Sequence, residues 1–263
     1  MAKYGLRFLA IGYVSALLLV PLGIVFRRAF ADGFGPAWDA VTTPAARHAF
    51  FLTILIALIA VPANTIFGVI CALAIVRHRF RGHGLVNSAV DLPLALSPVV
   101  VGLALLLLYG RDGWFGGWLL DHDIRVIFAL PSMILATIFV SLPFVVREVV
   151  PVLREIGDEQ EQAASTLGAS SWQTFWRVTL PAIRWGVAYG VVLTTARALG
   201  EFGAVSVVSG RIAGRTETMT THVGERFEAF DLVGAYAASV VLALVAMSTL
   251  LLLTVFQRKE ERT

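Results

Sequence analysis

The sequence predicts an all-α polytopic membrane protein: one domain of six transmembrane helices with a single long cytoplasmic helix–Gly–helix loop. Three observations predict it. Hydrophobic residues make up 57% of the 263 positions and charged residues only 15%, where a soluble domain carries about a quarter. The mean hydropathy is +0.79. The apolar residues also gather into six runs, each close to the roughly 20 residues that cross a hydrocarbon core.

The first run, 8–26, follows the basic residues Lys3 and Arg7. Ala29-Phe30-Ala31 has the A-x-A form of a signal-cleavage site. The apolar stretch outlasts an ordinary signal core, however, and Arg27-Arg28 intervenes, so the helix is read as retained. The second run, 50–76, contains Pro62 and Gly68, which membrane helices tolerate when neighbours re-satisfy the backbone. The third, 85–109, opens on Asp91-Leu92-Pro93 with Ser97-Pro98 behind it. It reads first as a kinked helix entry with Asp91 near the positive end of the dipole, and alternatively as a gate segment. Runs at 126–146 (with Pro131 and Pro143), 183–208 and 232–256 complete the set, leaving 147–182 as the loop.

Charge sets the orientation. With the N-terminus inside, twelve Lys and Arg residues fall on cytoplasmic segments and eight outside. The tightest basic cluster, Arg77-His78-Arg79-Phe80-Arg81, is inside, while acids such as Asp121, Asp123, Glu217 and Glu228 lie outside. Both termini and the 147–182 loop are then cytoplasmic. The net charge of +3 comes from scattered arginines, which fits contact with a lipid surface. Nucleic-acid binding would want a clustered basic stripe with exposed aromatics, and the sequence has none. The single Cys71 excludes a disulfide framework.

Enzymatic machinery is hard to place. A phosphate-binding loop needs Lys after a glycine-rich turn, and the two lysines stand near the termini, at 3 and 259. If ATP drives this chain, another subunit hydrolyses it. His78 and His83 lie in a basic loop and His48, His122 and His222 lie far apart, so no metal site is expected.

The loop has its own design. Ala163, Ala164 and Leu167 fall at helical spacing, Gly168 stops that helix, and Ser170-Ser171-Trp172-Gln173 reads as a capping box opening another. Trp172, Phe175, Trp176 and Thr179 repeat at helical intervals up to Pro181. The unit reads as a docking surface or as an interfacial helix lying on the bilayer. Docking is preferred, because interfacial helices use Lys and bulky anchors instead of alanine pairs.

A second polar feature lies inside the fifth run. Arg197 and Glu201 stand four apart and can pair on a helix, a costly placement within a membrane. Gly200, Gly203, Ser206 and Ser209 recur every three residues as a narrow face for close helix packing or for lining a pore, with Thr194 and Thr195 as further weak donors. The outer segment 211–231, rich in threonine and charge, reads as a solvated loop or a contact for an external protein.

Ala163, Ala164, Gly168, Val178, Leu180 and Pro181 resemble the motif of the cytoplasmic coupling loop in permease subunits of bacterial ABC importers. Gln162 stands where that family usually has Glu, so a salt bridge made from that position would lack its charge here. The stretch Ala196–Gly210 resembles the sulfate/molybdate branch, in particular the second permease subunit of sulfate/thiosulfate importers, the CysW type. The resemblance implies two ATP-binding subunits docked on Gln162, Ala163, Ala164, Leu167, Gly168 and Trp172. It also implies a homologous second permease subunit sharing the pore and an extracytoplasmic sulfate-binding protein, in the cytoplasmic membrane of a bacterium. ATP and Mg would sit on the partner subunits, with no cofactor in this chain. Molybdate or tungstate stays open as the anion, and a stand-alone secondary anion transporter using Arg197, Glu201 and Asp91 stays open as the rival.

Overall fold

The computed structural model describes residues 2–78 and 81–260, so Arg79, Phe80 and Arg262 of the basic sets lie outside the described residues. Helix α1 (Ala2–Ala29) is followed by a short helix α2 (Phe34–Thr42) and then the long α3 (Pro44–Arg77). Thr43 caps α3, its hydroxyl accepting from the Ala46 amide at 3.2 Å, with Pro44 at the first helical position where a missing N–H costs nothing. The buried residues of α3 recur every three or four positions and are mostly small: Ala46, Ala49, Ala57, Ala60, Gly68, Ala72. A narrow stripe of that kind lets backbones approach closely, which is how helices associate where lipid removes the hydrophobic drive.

The partner on that stripe is α7 (Leu130–Glu155), which α10 (Leu180–Leu199) flanks on another side. Both neighbours press on one residue. A Cβ added at Gly68 would stand 2.6 Å from Val145 Cβ, and one at Gly190 would stand 2.7 Å from Val145 Cα. Val69, Ala72, Val145, Val149, Leu153 and Ile183 form the buried cluster at this junction. Asn64, buried mid-helix in α3, donates to Ser141 Oγ at 2.8 Å and to the Ile138 carbonyl at 3.0 Å, so its amide is tied to α7 and kept from lipid.

Two of the six expected runs are broken. The third is two helices, α4 (His83–Ala95) and α5 (Pro98–Tyr109), bent by 111°. Pro98 bars its predecessor from the helical region, and Ser97 and Leu96 are both extended, so a corner replaces the expected kink. The fifth run is α10 followed, after Gly200-Glu201-Phe202, by the short α11 (Gly203–Val208). These two breaks meet: a Cβ on Gly102 of α5 would lie 2.8 Å from the Ala204 carbonyl oxygen, and one on Gly203 2.8 Å from Pro98 Cβ. Leu52, Ile56, Val101, Leu105, Met133, Val140, Ala204, Val205 and Val208 form the core around that crossing.

The remaining helices are α6 (Gly116–Asp121), α8 (Glu159–Thr166), α9 (Ser171–Thr174), α12 (Met219–Glu228) and α13 (Leu232–Glu260). Among the described residues, four helices are long and apolar enough to cross a membrane, five if the bent pair counts as one span. Helix α10, with 20 residues, has the length to cross but a more polar composition that includes Arg184 and Arg197. The fourth span also starts later and runs further than its apolar run, to Glu155, because a helix continues past the bilayer while its apolar content does not.

Candidate functional site: the projecting loop and the broken fifth helix

The loop after α7 is framed by backbone geometry at every step. In α8 the Ser165 and Thr166 hydroxyls donate to the carbonyls of Gln162 and Ala163, which weakens the helix toward its end. Gly168, at φ 84°, then turns the chain in the left-handed region. Its amide bonds the Ser165 carbonyl at 3.0 Å and the Ala169 amide bonds the Ala164 carbonyl at 3.1 Å, the paired bonds of a Schellman stop. Ser170 restarts the helix with the capping box: its hydroxyl accepts from the Gln173 amide at 3.3 Å and Gln173 Oε1 accepts from the Ser170 amide at 2.9 Å.

Helix α9 passes into a π-helical turn, Phe175–Thr179, where the Leu180 amide reaches back to the Phe175 carbonyl, before α10 begins. Trp172, Phe175 and Trp176 stack among themselves, with ring centroids 5.3 to 6.4 Å apart. Edge-on packing of this kind stiffens an aromatic group without burying it.

The loop residues singled out from sequence stand on an outward face. Gln162, Ala163 and Gly168 are exposed, Ala164 is half-buried, and Leu167 and Trp172 show 88% and 70% of their surface. Apart from its chain neighbours, none of the described residues lies within 4 Å of where a Gly168 side chain would begin. An exposed apolar face of this kind marks a surface for another protein or for the membrane.

The charge that Gln162 lacks is supplied one residue earlier. Glu161 pairs with Arg77 at 2.9 Å and accepts the Thr179 hydroxyl at 2.8 Å. The sequence placed Arg77 in a basic cluster and Thr179 in a helical repeat, but it gave Glu161 no part and linked none of the three. Arg77 and Glu161 lie 84 residues apart, and no local pattern links them.

At the second feature, Arg197 and Glu201 are an ion pair at 2.6 Å, with Glu201 buried and Arg197 partly open. They do not share one helix, since α10 ends at Leu199. Glu201 lies in the break, where Oε1 accepts from the Ala204 amide at 2.7 Å and so caps α11, while its carbonyl accepts the Thr220 hydroxyl. The four-residue stripe is therefore divided. Gly200 ends α10, exposed, while Gly203 and Ser206 lie on α11 half-buried. The Ser206 hydroxyl donates to the Gly203 carbonyl, and buried Ser209 accepts from the Arg211 amide. Thr194 is fully buried and Thr195 donates to its own helix at Val191.

The segment 211–231 departs from a solvated loop. Thr216, Glu217, Thr218, Met219, Thr221 and His222 are buried, the Met219 amide bonds Thr53 Oγ1 at 2.8 Å, and His222 Nδ1 lies 3.0 Å from Glu217 Oε1. Threonine-rich composition looks the same whether it meets water or satisfies a buried backbone, so composition carries no sign of this.

Spanning helices, two of them broken inside the bundle, together with a rigid projecting face define a membrane-embedded permease subunit. The chain belongs to the family of binding-protein-dependent transport system inner membrane components, whose model matches residues 64–262. It is 51% identical over 257 residues to the sulfate transport system permease protein CysW of Synechocystis sp., covering 98% of this chain and 93% of that protein. It is 48% identical to CysW of Escherichia coli (strain K12), covering 94% and 86%. Identity to the companion permease CysT of the same strain is 40% over 232 residues, covering 88% and 84%. The fold matches a permease chain in the crystal structure of a bacterial alginate ABC transporter in complex with an alginate-bound periplasmic protein, with a TM-score of 0.82 at 19% identity, covering 100% and 96% of the two chains. These relatives are transport permease subunits of the membrane.

Proposed function

We propose that this chain is a permease subunit of an ATP-driven sulfate importer and that its projecting loop docks an ATP-hydrolysing partner on the cytoplasmic side. The observation that carries the docking is the outward face of Gln162, Ala163, Leu167, Gly168 and Trp172, framed by a Schellman stop and a capping box yet left exposed by the described residues. The naming of sulfate in relatives about half identical over nearly the whole chain supports the substrate.

In this reading a CysT-like second permease completes the pore, an external binding protein delivers the anion, and both termini are cytoplasmic. ATP and Mg belong to two partner subunits. Closure of those subunits carries the docked loop with it, and the π-helical turn passes the motion directly into α10. Arg197, largely neutralised by Glu201, leaves a modest positive potential beside the break, which suits an anion that must also be released. Gly200, Gly203, Ser206 and Ser209 contribute close packing and weak donors there.

The test is purification of the tagged chain from its own membranes in mild detergent, followed by uptake in proteoliposomes. An ATPase subunit and a second permease should co-purify, and uptake of labelled sulfate should require ATP and survive a protonophore. Gly168→Trp and Ala164→Asp should reach the membrane but lose the ATPase subunit. Normal ATP-driven uptake by either variant would refute the docking, and competition by molybdate but not thiosulfate would move the substrate.

A further inference from the structure

We propose that Arg77 is a positioning residue for the projecting loop: its guanidinium, acting through Glu161, fixes where the docking face stands relative to the membrane helices. The inference rests on the docking reading of that loop. Arg77 is the last residue of α3. Its Nε donates to one oxygen of Glu161 at 2.9 Å and an Nη donates to the other at 3.3 Å, the two-pronged planar pairing that only arginine makes. The same group donates to the Leu153 carbonyl at 3.1 Å and to the Gly157 carbonyl at 2.6 Å.

Leu153 lies in the last turn of α7, where carbonyls lack helical partners and the dipole favours a cation. Glu161 accepts in turn from Thr179, buried at the entry to α10. One ion pair thus joins the end of α3, the end of α7, the first turn of α8 and the start of α10.

The joint matters because α8 has little else to hold it. An isolated helix of eight residues is unstable in water, and α8 buries none of its side chains. The Glu161 carboxylate therefore carries its connection to α3 and α7. The exposed residues Gln162, Ala163 and Leu167 ride on the same short helix. If the connection is lost, the helix remains capped but its docking face no longer has a fixed height or angle.

Lysine at 77 offers a single point of donation and cannot serve the carboxylate and both carbonyls in the same plane. Exchanging the two charges would fail as well, since a carboxylate at 77 would face the Leu153 and Gly157 carbonyls.

The experiment places spin labels at Leu58→Cys on α3 and Leu167→Cys at the end of α8, both exposed positions, in a Cys71→Ser background, and measures the distance distribution in the full-length chain in detergent. Uptake of sulfate per ATP is measured in parallel in the reconstituted importer without labels. With native Arg77 and Glu161 a single narrow distance is expected. Glu161→Gln, which keeps the shape, and Arg77→Lys should each broaden it and lower sulfate moved per ATP by about tenfold or more, the scale of one lost charge-assisted hydrogen bond.

An unchanged narrow distribution in both variants overturns the inference, whatever the uptake. A narrow distribution restored by combining Arg77→Glu with Glu161→Arg also overturns it, because a bare ion pair would then suffice. A broadened distribution with normal sulfate per ATP upholds the positioning role and counts instead against the docking reading. If Arg77→Lys fails to accumulate, Glu161→Gln alone decides, being the isosteric change.

Discussion

Gly190→Ala should destabilise the bundle more than the same change at Gly186, the other glycine of α10. The new Cβ would stand 2.7 Å from Val145 Cα and 3.3 Å from Val145 Cβ, against an ordinary contact of about 3.5–4 Å. Relief requires α7 to move by roughly 1 Å away from α10, estimated from that contact distance. Gly68 of α3 already approaches Val145 so closely that its own Cβ would meet Val145 Cβ at 2.6 Å, so α7 has no free direction. Overpacking of a fixed backbone costs about 1–3 kcal/mol, and the double constraint places this case near the top of that range.

For a chain of this size a cost near 3 kcal/mol corresponds to a fall of about 6–12 °C in the apparent melting temperature. It is read as the loss of the monodisperse size-exclusion peak after heating in detergent. Val145→Ala should not rescue the variant, because the obstacle is the Cα atom, which alanine keeps. A melting temperature within about 1 °C of the native chain would refute the close-packed junction, as that corresponds to only a few tenths of a kcal/mol.

Three further outcomes are expected. Ser170→Ala removes the hydroxyl of the capping box and should cost the loop about 1 kcal/mol, seen as faster proteolysis between 160 and 175 with α7 and α10 intact. Glu201→Gln leaves Arg197 without its counter-charge while keeping an oxygen for the Ala204 amide. Breaking a buried pair costs about 3–5 kcal/mol, less here because Arg197 is partly open, and adding Arg197→Met should recover most of the lost thermal stability. Gly168→Asn should fold normally, since Asn tolerates the left-handed backbone and the space beside it is open, yet fail to retain the ATPase subunit on purification.

Helical runs were legible because lipid leaves the backbone no alternative to helix, so apolar length alone locates α3, α7 and α13. The loop was legible because Gly168, Ser170 and Gln173 act within a few residues of one another, and local hydrogen bonds can be read from local sequence. The corner at Ser97-Pro98 was half legible: proline marks a break, but its 111° is set by packing against α11. The pairing of Arg197 with Glu201 followed from their spacing, whereas the break between them did not. There the carboxylate captures the Ala204 amide, and a tertiary bond from Thr220 holds the turn open. The Arg77–Glu161 joint was invisible for the same reason, since it exists only once α3 and the loop have been brought together.

The π-helical turn at Phe175–Thr179 separates the exposed aromatic face of α9 from the packed face of α10. A residue inserted into an α-helix advances everything before it by about 100° around the axis. The turn thus behaves as a phase adjuster between the aromatic face at Trp172 and Trp176 and the packed face of α10. Gaining or losing that one residue would swing the aromatics to a new bearing and leave every contact of Ile183, Gly186 and Gly190 with α7 in place. One insertion could in this way turn the projecting face to a new bearing without redesigning the helix packing behind it.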